Sequence, residues 1–368
     1  MKIKIGDRLV GDGEPCFIIA EAGVNHNGDV KLAKKLVKAA KDAGADAVKF
    51  QTWITEEVLT KNVEKAGYQK ELTGNDESQF DMVKKLELSF DDYKDITEFC
   101  KREGIIFLST PNDKQSADFL NKLGVPAFKI GSDDLTNIPF LQYVAKKGKP
   151  IIISTGMATL DEVREAYESI KNINEKIIFL HCTSSYPAAI ETVNLRAIDT
   201  LRREFGTPVG YSDHTMGIDV TIVAVAFGAC VVEKHFTISR SLPGPDHKAS
   251  IEPDELKEMV YDIRNIEKRL SEGESIENIL SGFKHVEVML GTGIKSPTNS
   301  EKDIMPFVRK CLVARANIRK GTVLTDNIVT IKRAGAGGLE PKHLSKIIGK
   351  KTKMDISKDE MITWDKVG

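Results

Sequence analysis

The chain has 368 residues, of which 41% are hydrophobic and 29% are charged, and its formal net charge is −1. These values are typical of folded globular proteins and exclude a disordered or collagen-like chain. The sequence has neither the run of about 18 apolar residues that a membrane span needs nor the apolar core of a signal peptide. We therefore expect a cytoplasmic protein that has no membrane partner.

Eight short apolar runs alternate with helical patterns along residues 17–270. In the first unit, the run 17–22 precedes Asp29, a predicted N-cap, and the helix that follows should stop at Gly44. Eight successive βα units predict a (β/α)8 TIM barrel, since a doubly wound sheet usually has about five to seven strands. The predicted strands are 17–22, 47–51, 105–109, 127–130, 151–154, 177–181, 209–211 and 231–235. The later helices are predicted over 91–102, 114–123, 139–147, 160–170, 195–205, 218–227 and 253–270.

The barrel pattern has two interruptions, which predict the domain boundaries. Residues 53–89 are far longer than an ordinary loop and predict a lid or an arm. Residues 291–305 have the Gly, Ser, Pro and Asn content of a linker. We therefore predict a barrel domain over 1–290, with a β-hairpin extension at 1–16, and a small domain over 306–368. The small domain should contain short strands, a short helix and a final strand near residues 350–355.

The C-terminal part of the chain is basic. Residues 301–368 hold 15 Lys and Arg against 8 Asp and Glu, so they carry +7 and the rest of the chain carries −8. Such a module can bind nucleic acid, an anionic substrate or an acidic protein surface. Phe307 and Trp364 are the only aromatic rings there, and no nucleic-acid motif is present, so we expect no nucleic-acid partner.

Polar residues stand where each predicted strand ends, which is where the active site of such a barrel is built. One buried Lys or His is usually an ion-paired or hydrogen-bonded structural residue, so the functional interpretation depends on the whole set. Fixed ammonium charge together with hydroxyl donors suits a small phosphorylated or carboxylated anion. The residues of this predicted pocket are Lys49, Thr110, Lys129, Ser132, Ser154 and Ser212.

Two histidines, His214 and His235, end neighbouring strands. Neutral imidazole suits Mn, Fe, Co or Zn, and two histidines leave open positions that substrate oxygens can take. Structural hydrogen bonding of the two rings is the alternative. Glu21 and Asp134 add carboxylates for acid and base work.

Ten motifs in one collinear order resemble the sialic acid synthase family. They are EAGVNHNG (21–28), VKFQTW (48–53), STP (109–111), FKIGS (128–132), STGM (154–157), HCTSSYP (181–187), GYSDHT (210–215), EKHFT (233–237), PGPDHKAS (243–250) and IKRAG (331–335). The resemblance implies a phosphoenolpyruvate-binding barrel joined to a C-terminal antifreeze-like domain, also called SAF. Members of this family condense phosphoenolpyruvate with an open-chain N-acyl mannosamine-type aldose to give a nine-carbon 2-keto acid and phosphate.

The resemblance also implies roles for individual residues. The predicted anion pocket would bind phosphoenolpyruvate, with Lys49 also stabilising charge during catalysis, and Glu21 would be the acid and base. His214 and His235 would hold a divalent metal, Mn²⁺ first, with Mg²⁺ or Co²⁺ as alternatives. Arg333 would reach the N-acyl group of the sugar in the partner's barrel, within a homodimer that exchanges its tail domains. The other sugar contacts would be Gln51, Tyr186 and Asp246.

Three positions depart from the family pattern. Asp134 stands where a glutamate is frequent, Ser184 replaces an asparagine common in N-acetylneuraminate synthases, and Ala334 replaces a proline. Residues 66–89 are more similar to legionaminic acid synthases. The product is therefore predicted as N-acetylneuraminate or N,N′-diacetyllegionaminate, with pseudaminate or another phosphoenolpyruvate-derived 2-keto sugar acid as the alternative. A non-catalytic carbohydrate-binding role conflicts with the polar residues at every strand end.

Overall fold

The structure is a computed structural model, and it describes residues 1–61, 63–65 and 77–368. Its strands, numbered in chain order, are β1 (Lys2–Ile5), β2 (Arg8–Gly11), β3 (Phe17–Gly23), β4 (Ala47–Thr52), β5 (Ile106–Pro111), β6 (Phe128–Ile130), β7 (Ile151–Ser154), β8 (Ile177–Cys182), β9 (Val209–Asp213), β10 (Val231–His235), β11 (Cys311–Ala314) and β12 (Val329–Lys332).

The helices, numbered over the same described residues, follow the strands in alternation. They are α1 (Val30–Asp42), α2 (Thr55–Val58), α3 (Gln79–Leu86), α4 (Phe90–Glu103), α5 (Lys114–Leu123), α6 (Ile138–Ala145), α7 (Leu160–Ile170), α8 (Ala197–Phe205), α9 (Asp219–Ala226), α10 (Pro253–Ser271), α11 (Ile276–Leu280), α12 (Val286–Leu290), α13 (Asn299–Val308) and α14 (Leu344–Ile347). None of them combines the length and the apolar character needed to cross a bilayer.

Eight parallel strands form the barrel, in the order β5-β4-β3-β10-β9-β8-β7-β6. The two ends of this order, β5 and β6, lie side by side, so the sheet is nearly closed. The predicted (β/α)8 barrel is therefore confirmed. Each predicted strand is present, with bounds that differ by at most two residues.

Alternation along the strands separates two apolar cores. One set of side chains fills the barrel and the other set packs under the helices. The N-terminal hairpin of β1 and β2 adds its apolar face to the barrel filling. The barrel filling includes Ile3, Ile5, Val10, Phe17, Ile19, Ala47, Leu108, Ile152, Ile178, Leu180 and Val231.

Local sequence signals explain the helix ends. Asp29 caps α1 by accepting from the Lys31 backbone N–H, as predicted. Ser89 and Asp92 form a capping box at the start of α4, and Gly104 ends that helix in the left-handed conformation.

The long segment after β4 packs over the open end of the barrel. It contains α2 and α3, and its apolar side chains form a small cluster around Trp53, Val58, Leu59 and Leu86. Residues 62 and 66–76 lie outside the described residues, and so does the first part, 66–76, of the stretch 66–89 that is similar to legionaminic acid synthases.

The stretch predicted as a linker is partly helical. Thr298 and Glu301 form a capping box that starts α13, so the helix takes up residues that composition alone assigned to a linker. Beyond it, β11 and β12 pair as antiparallel strands around a separate apolar core. The short helix predicted in this domain is α14. The strand predicted near residues 350–355 is reduced to isolated bridges such as Val323–Lys351.

Gly210 tests the packing that places the active-site strands. A Cβ on this residue of β9 would lie 2.2 Å from the Val231 carbonyl oxygen on β10. We expect Gly210→Ala to lower the free energy of unfolding by about 1–3 kcal/mol, since the backbones must move apart. Denaturant unfolding measures this loss.

The matched control is Gly282→Ala, where the nearest atom to a new Cβ is the Ile279 carbonyl oxygen at an ordinary 3.5 Å. Equal stability of both variants would contradict the tight β9–β10 packing.

Candidate active site

Strand alternation decides which polar side chains point into the barrel. Glu21, Lys49, Lys129 and Glu233 all lie on inward positions at the carboxyl ends of their strands, and each is at most 4% exposed. Lys234, one residue further on, instead bonds Asp213 at 2.7 Å. The barrel therefore carries four buried charged groups near the carboxyl ends of four strands.

Glu233 is shared between the two lysines. Its Oε2 lies 3.7 Å from Lys49 Nζ, and its Oε1 lies 3.4 Å from Lys129 Nζ. Lys49 Nζ also approaches Glu21 Oε2 at 2.6 Å. The four groups thus form one continuous charge network, called here the Glu–Lys network, and each charge in it has an opposite charge nearby.

Burial and ion pairing give the carboxyl groups of Glu21 and Glu233 different pKa values. Burial raises the pKa of Glu21 to about 7, although Lys49 acts to lower it. Burial would also raise the pKa of Glu233, but Lys129 and Lys49 together lower it to about 2. Glu233 is therefore a fixed anion, whereas Glu21 exchanges a proton near neutral pH.

Hydroxyl groups complete the network. Lys129 Nζ donates to Ser154 Oγ at 2.7 Å, and Lys49 Nζ donates to Thr110 Oγ1 at 3.2 Å. Ser212 Oγ donates to Glu233 Oε1 at 2.9 Å. All six residues of the predicted anion pocket line one cavity together with Glu21 and Glu233: Lys49, Thr110, Lys129, Ser132, Ser154 and Ser212.

The two histidines face each other across the same cavity, with ring centroids 5.5 Å apart. Burial lowers the pKa of both rings, which keeps them neutral as metal ligation requires. His214 Nδ1 bonds the Thr183 carbonyl, which leaves Nε2 as the acceptor. Among the described residues His235 Nδ1 has no hydrogen-bond partner, and Asp246 Oδ2 lies 3.6 Å away.

These histidines fit a divalent metal, since burial keeps both rings neutral and His235 Nδ1 is buried without a hydrogen-bond partner among the described residues. Within the ranges that the structure describes, no cluster of three or more His, Cys, Asp and Glu is placed to hold a metal ion. Any metal here would therefore have two histidine ligands and would need substrate or water for the others.

The residues predicted to contact the sugar lie around the same cavity. Gln51 Nε2 donates to Glu21 Oε1 at 2.9 Å. The Tyr186 ring lies 4.2 Å from that of His214, measured between centroids. Burial raises the pKa of Asp246 to about 6. Arg333 also lines this cavity.

Asp134 is buried in an ion pair outside the cavity. Its Oδ2 accepts from Lys310 Nζ at 2.6 Å and its Oδ1 accepts from Asn137 at 2.8 Å, and it does not line the cavity. Asp133 lines it instead, and its Oδ2 accepts from Arg333 Nη2 at 2.6 Å. The short turn after β6 thus directs the Asp133 carboxylate into the cavity, and a catalytic role for Asp134 stays a prediction.

The tail domain docks on the barrel of its own chain. The Arg333 backbone N–H donates to the Val58 carbonyl at 2.9 Å, and its carbonyl accepts from Thr60 N–H at 3.1 Å. Arg333, which follows β12, thus reaches the cavity by pairing its backbone with residues 58–60 at the end of α2. The exchange of tails between two subunits stays a prediction.

Sequence reasoning missed two parts of the cavity. Glu233 was given no role, although its two-residue spacing from His235 places both on the same side of β10. The second part is an apolar wall, which no motif marks because distant segments build it: Val58, Leu59, Met82, Val83, Leu86, Ile304 and Val308.

Comparisons with known proteins agree with this site. Residues 36–275 match the NeuB family, and residues 309–368 match the SAF domain. The chain is 45% identical over 362 residues to the N,N′-diacetyllegionaminic acid synthase of Legionella pneumophila, which covers 97% of this chain and 96% of the relative. It is 36% identical over 357 residues to the N-acetylneuraminate-9-phosphate synthase of Homo sapiens, covering 96% and 93%.

A solved structure agrees over the whole chain. The crystal structure of the spore coat polysaccharide biosynthesis protein SpsE from Bacillus subtilis has a TM-score of 0.86 at 35% identity, and it covers 100% of this chain and 99% of its own. The resemblance to the sialic acid synthase family is thereby confirmed. The chain belongs to the NeuB family and carries a SAF domain at its C-terminus.

Proposed function

We propose that the protein condenses phosphoenolpyruvate with an N-acyl mannosamine-type sugar, forming a nine-carbon 2-keto acid and phosphate. The Glu–Lys network carries this proposal, because two buried ammonium groups ringed by hydroxyls suit a small polyanion. When Glu21 holds its proton, both lysines face the single carboxylate of Glu233. The site then has a net positive charge for the incoming substrate.

In the reaction, C3 of phosphoenolpyruvate forms a bond to the aldehyde carbon of the sugar. Water adds to the cation left at C2, and the tetrahedral intermediate breaks its C2–O bond to release phosphate. Lys49 and Lys129 stabilise the negative charge of the phosphate and carboxylate groups. Glu21 is the acid and base, with its carboxyl group held by the Gln51 hydrogen bond.

We place a divalent metal at His214 and His235, Mn²⁺ first and Mg²⁺ or Co²⁺ as alternatives. When bound, such an ion supplies Lewis-acid polarisation of the aldehyde oxygen. The neutral imidazoles and the available nitrogen of His235 support this assignment.

The sugar we propose is 2,4-diacetamido-2,4,6-trideoxymannose, which gives N,N′-diacetyllegionaminate. The apolar wall around Val58, Leu86 and Ile304 supports it, because two acetamido groups and a C6 methyl present three methyl groups to bury. The 45% identity to a relative named for that product supports the same choice. N-acetylmannosamine, the precursor of N-acetylneuraminate, is the second candidate.

The reaction can be assayed directly with phosphoenolpyruvate, Mn²⁺ and a panel of N-acyl sugars, including both candidates and the pseudaminate precursor. We expect phosphate release that depends on both substrates and a product mass of the 2-keto acid, highest with the diacetamido sugar. Excess chelator should stop turnover. Phosphate release without sugar would contradict the proposed reaction. Full activity in excess chelator would contradict the proposed metal.

Lys129→Met tests the anion pocket because it keeps the side-chain length and removes the charge. We expect the KM for phosphoenolpyruvate to rise about tenfold or more, since a charged hydrogen bond is lost, and the KM for the sugar to change much less. Lys149→Met is the control, because the Lys149 ammonium donates to the Val125 carbonyl and the residue does not line the cavity. A larger effect on the sugar would show that the two subsites are misassigned.

In the proposed homodimer with exchanged tails, Arg333 of each chain would make the same contacts on the barrel of the other chain. A two-fold axis makes this exchange reciprocal. This arrangement predicts that mixing subunits of Glu21→Ala and Arg333→Ala restores activity, because one site of each mixed dimer has neither defect. Activity is measured after dissociation and reassociation of the subunits. No recovery despite subunit exchange would show that each tail serves its own barrel.

A further inference from the structure

The turn after β7 contains a strained residue. Met157 has a φ of 58°, in the left-handed region that side chains other than glycine rarely adopt. Such conformations persist only where surrounding contacts enforce them, and they concentrate at functional sites. Gly156 and Met157, called here the β7 turn, come two and three residues after Ser154, the last residue of β7.

Both backbone polar groups of Met157 are held by residues beyond the barrel. Its N–H donates to Glu301 Oε1 at 2.7 Å, and its carbonyl accepts from Arg309 Nη2 at 2.7 Å. Glu301 lies in α13 and Arg309 is the next residue after that helix. The segment between the two domains therefore enforces the conformation of the β7 turn.

Glu301 also holds the loop after β8. Its Oε1 accepts from Ser184 N–H at 2.8 Å, while its Oε2 accepts from Thr298 N–H at 2.9 Å. The residue is only 1% exposed. A buried carboxylate of this kind is stabilised by the N–H groups around it, so its contacts are directional and costly to lose.

The β7 turn also fixes Ser132, a residue of the predicted anion pocket. Gly156 N–H donates to Ser132 Oγ at 2.9 Å, and Ser132, Met157 and Ser184 all line the cavity. The packing is tight: a Cβ on Gly156 would lie 2.1 Å from Ser184 Oγ. A change in the Met157 backbone would therefore displace Gly156 and Ser132.

We propose that Glu301 is a positioning residue, which holds Met157 in its left-handed conformation and so shapes the phosphoenolpyruvate subsite. The inference rests on the proposed function. Through Glu301, the helix that leads into the SAF domain would help to shape the phosphoenolpyruvate subsite. This role is separate from the contact with the sugar that is predicted for Arg333.

The first test measures phosphoenolpyruvate binding to the full chain by calorimetry. Glu301→Ala should weaken binding about tenfold or more, since two charge-assisted hydrogen bonds to the loops are lost. Glu301→Gln keeps a carbonyl oxygen for Met157 and Ser184 and should retain most of the affinity. Thr298→Ala is the control, because it removes the helix-capping hydroxyl and leaves Glu301 Oε1 with its two donors.

Relief of the backbone strain gives the sharper test. Glycine adopts positive φ without help, so in a Met157→Gly background the loss of Glu301 should matter much less. We expect Glu301→Ala to weaken binding by less than about threefold in that background, a coupling that a double-mutant cycle measures. A general loss of helix or domain stability would not be rescued at residue 157.

Three outcomes separate the hypotheses. Absence of phosphoenolpyruvate binding to the wild-type protein would overturn the proposed function itself. Wild-type affinity in Glu301→Ala would overturn the positioning role alone. The same loss of affinity with and without the Met157→Gly substitution would also overturn that role, since the effect would not pass through the strained turn.

Discussion

The active site depends on the shared position of Glu233 between Lys49 and Lys129. An ammonium group buried without a partner loses its charge or destabilises the fold, so Lys129 needs this carboxylate, and Lys49 needs it whenever Glu21 holds a proton. Burial at the same time raises the pKa of Glu21 to about 7. One anion, one titrating carboxyl group and two cations thus coexist at the ends of four strands.

The same arrangement suits a polyanionic substrate. Lys129 donates to Ser154, and Lys49 donates to Thr110, so each ammonium already has a hydroxyl beside it that can share a substrate oxygen. The polar network lies deep in the cavity, whereas the apolar wall is built by the arm and α13. The cavity therefore has a polar part suited to an anion and an apolar part suited to methyl groups.

Much of this could be predicted from sequence because it is local or periodic. Strand-length apolar runs and helix signals such as Asp29 and Gly44 predicted the βα units, and the strand ends predicted the anion pocket. At the turn after β6, spacing alone cannot tell whether Asp133 or Asp134 faces the cavity, and the structure places Asp133 there. Long-range contacts were not predictable: nothing near Glu301 in the sequence points to its bond with Met157.

On binding phosphoenolpyruvate, Lys49 and Lys129 should exchange part of their internal contacts for the oxygens of the substrate. A crystal structure of the complex would show this exchange. We expect phosphate and carboxylate oxygens within hydrogen-bond distance of both ammonium groups and of the surrounding hydroxyls, with Glu233 still between the lysines. Phosphoenolpyruvate bound elsewhere, with both lysines still held only by Glu21, Glu233 and their hydroxyl partners, would contradict it.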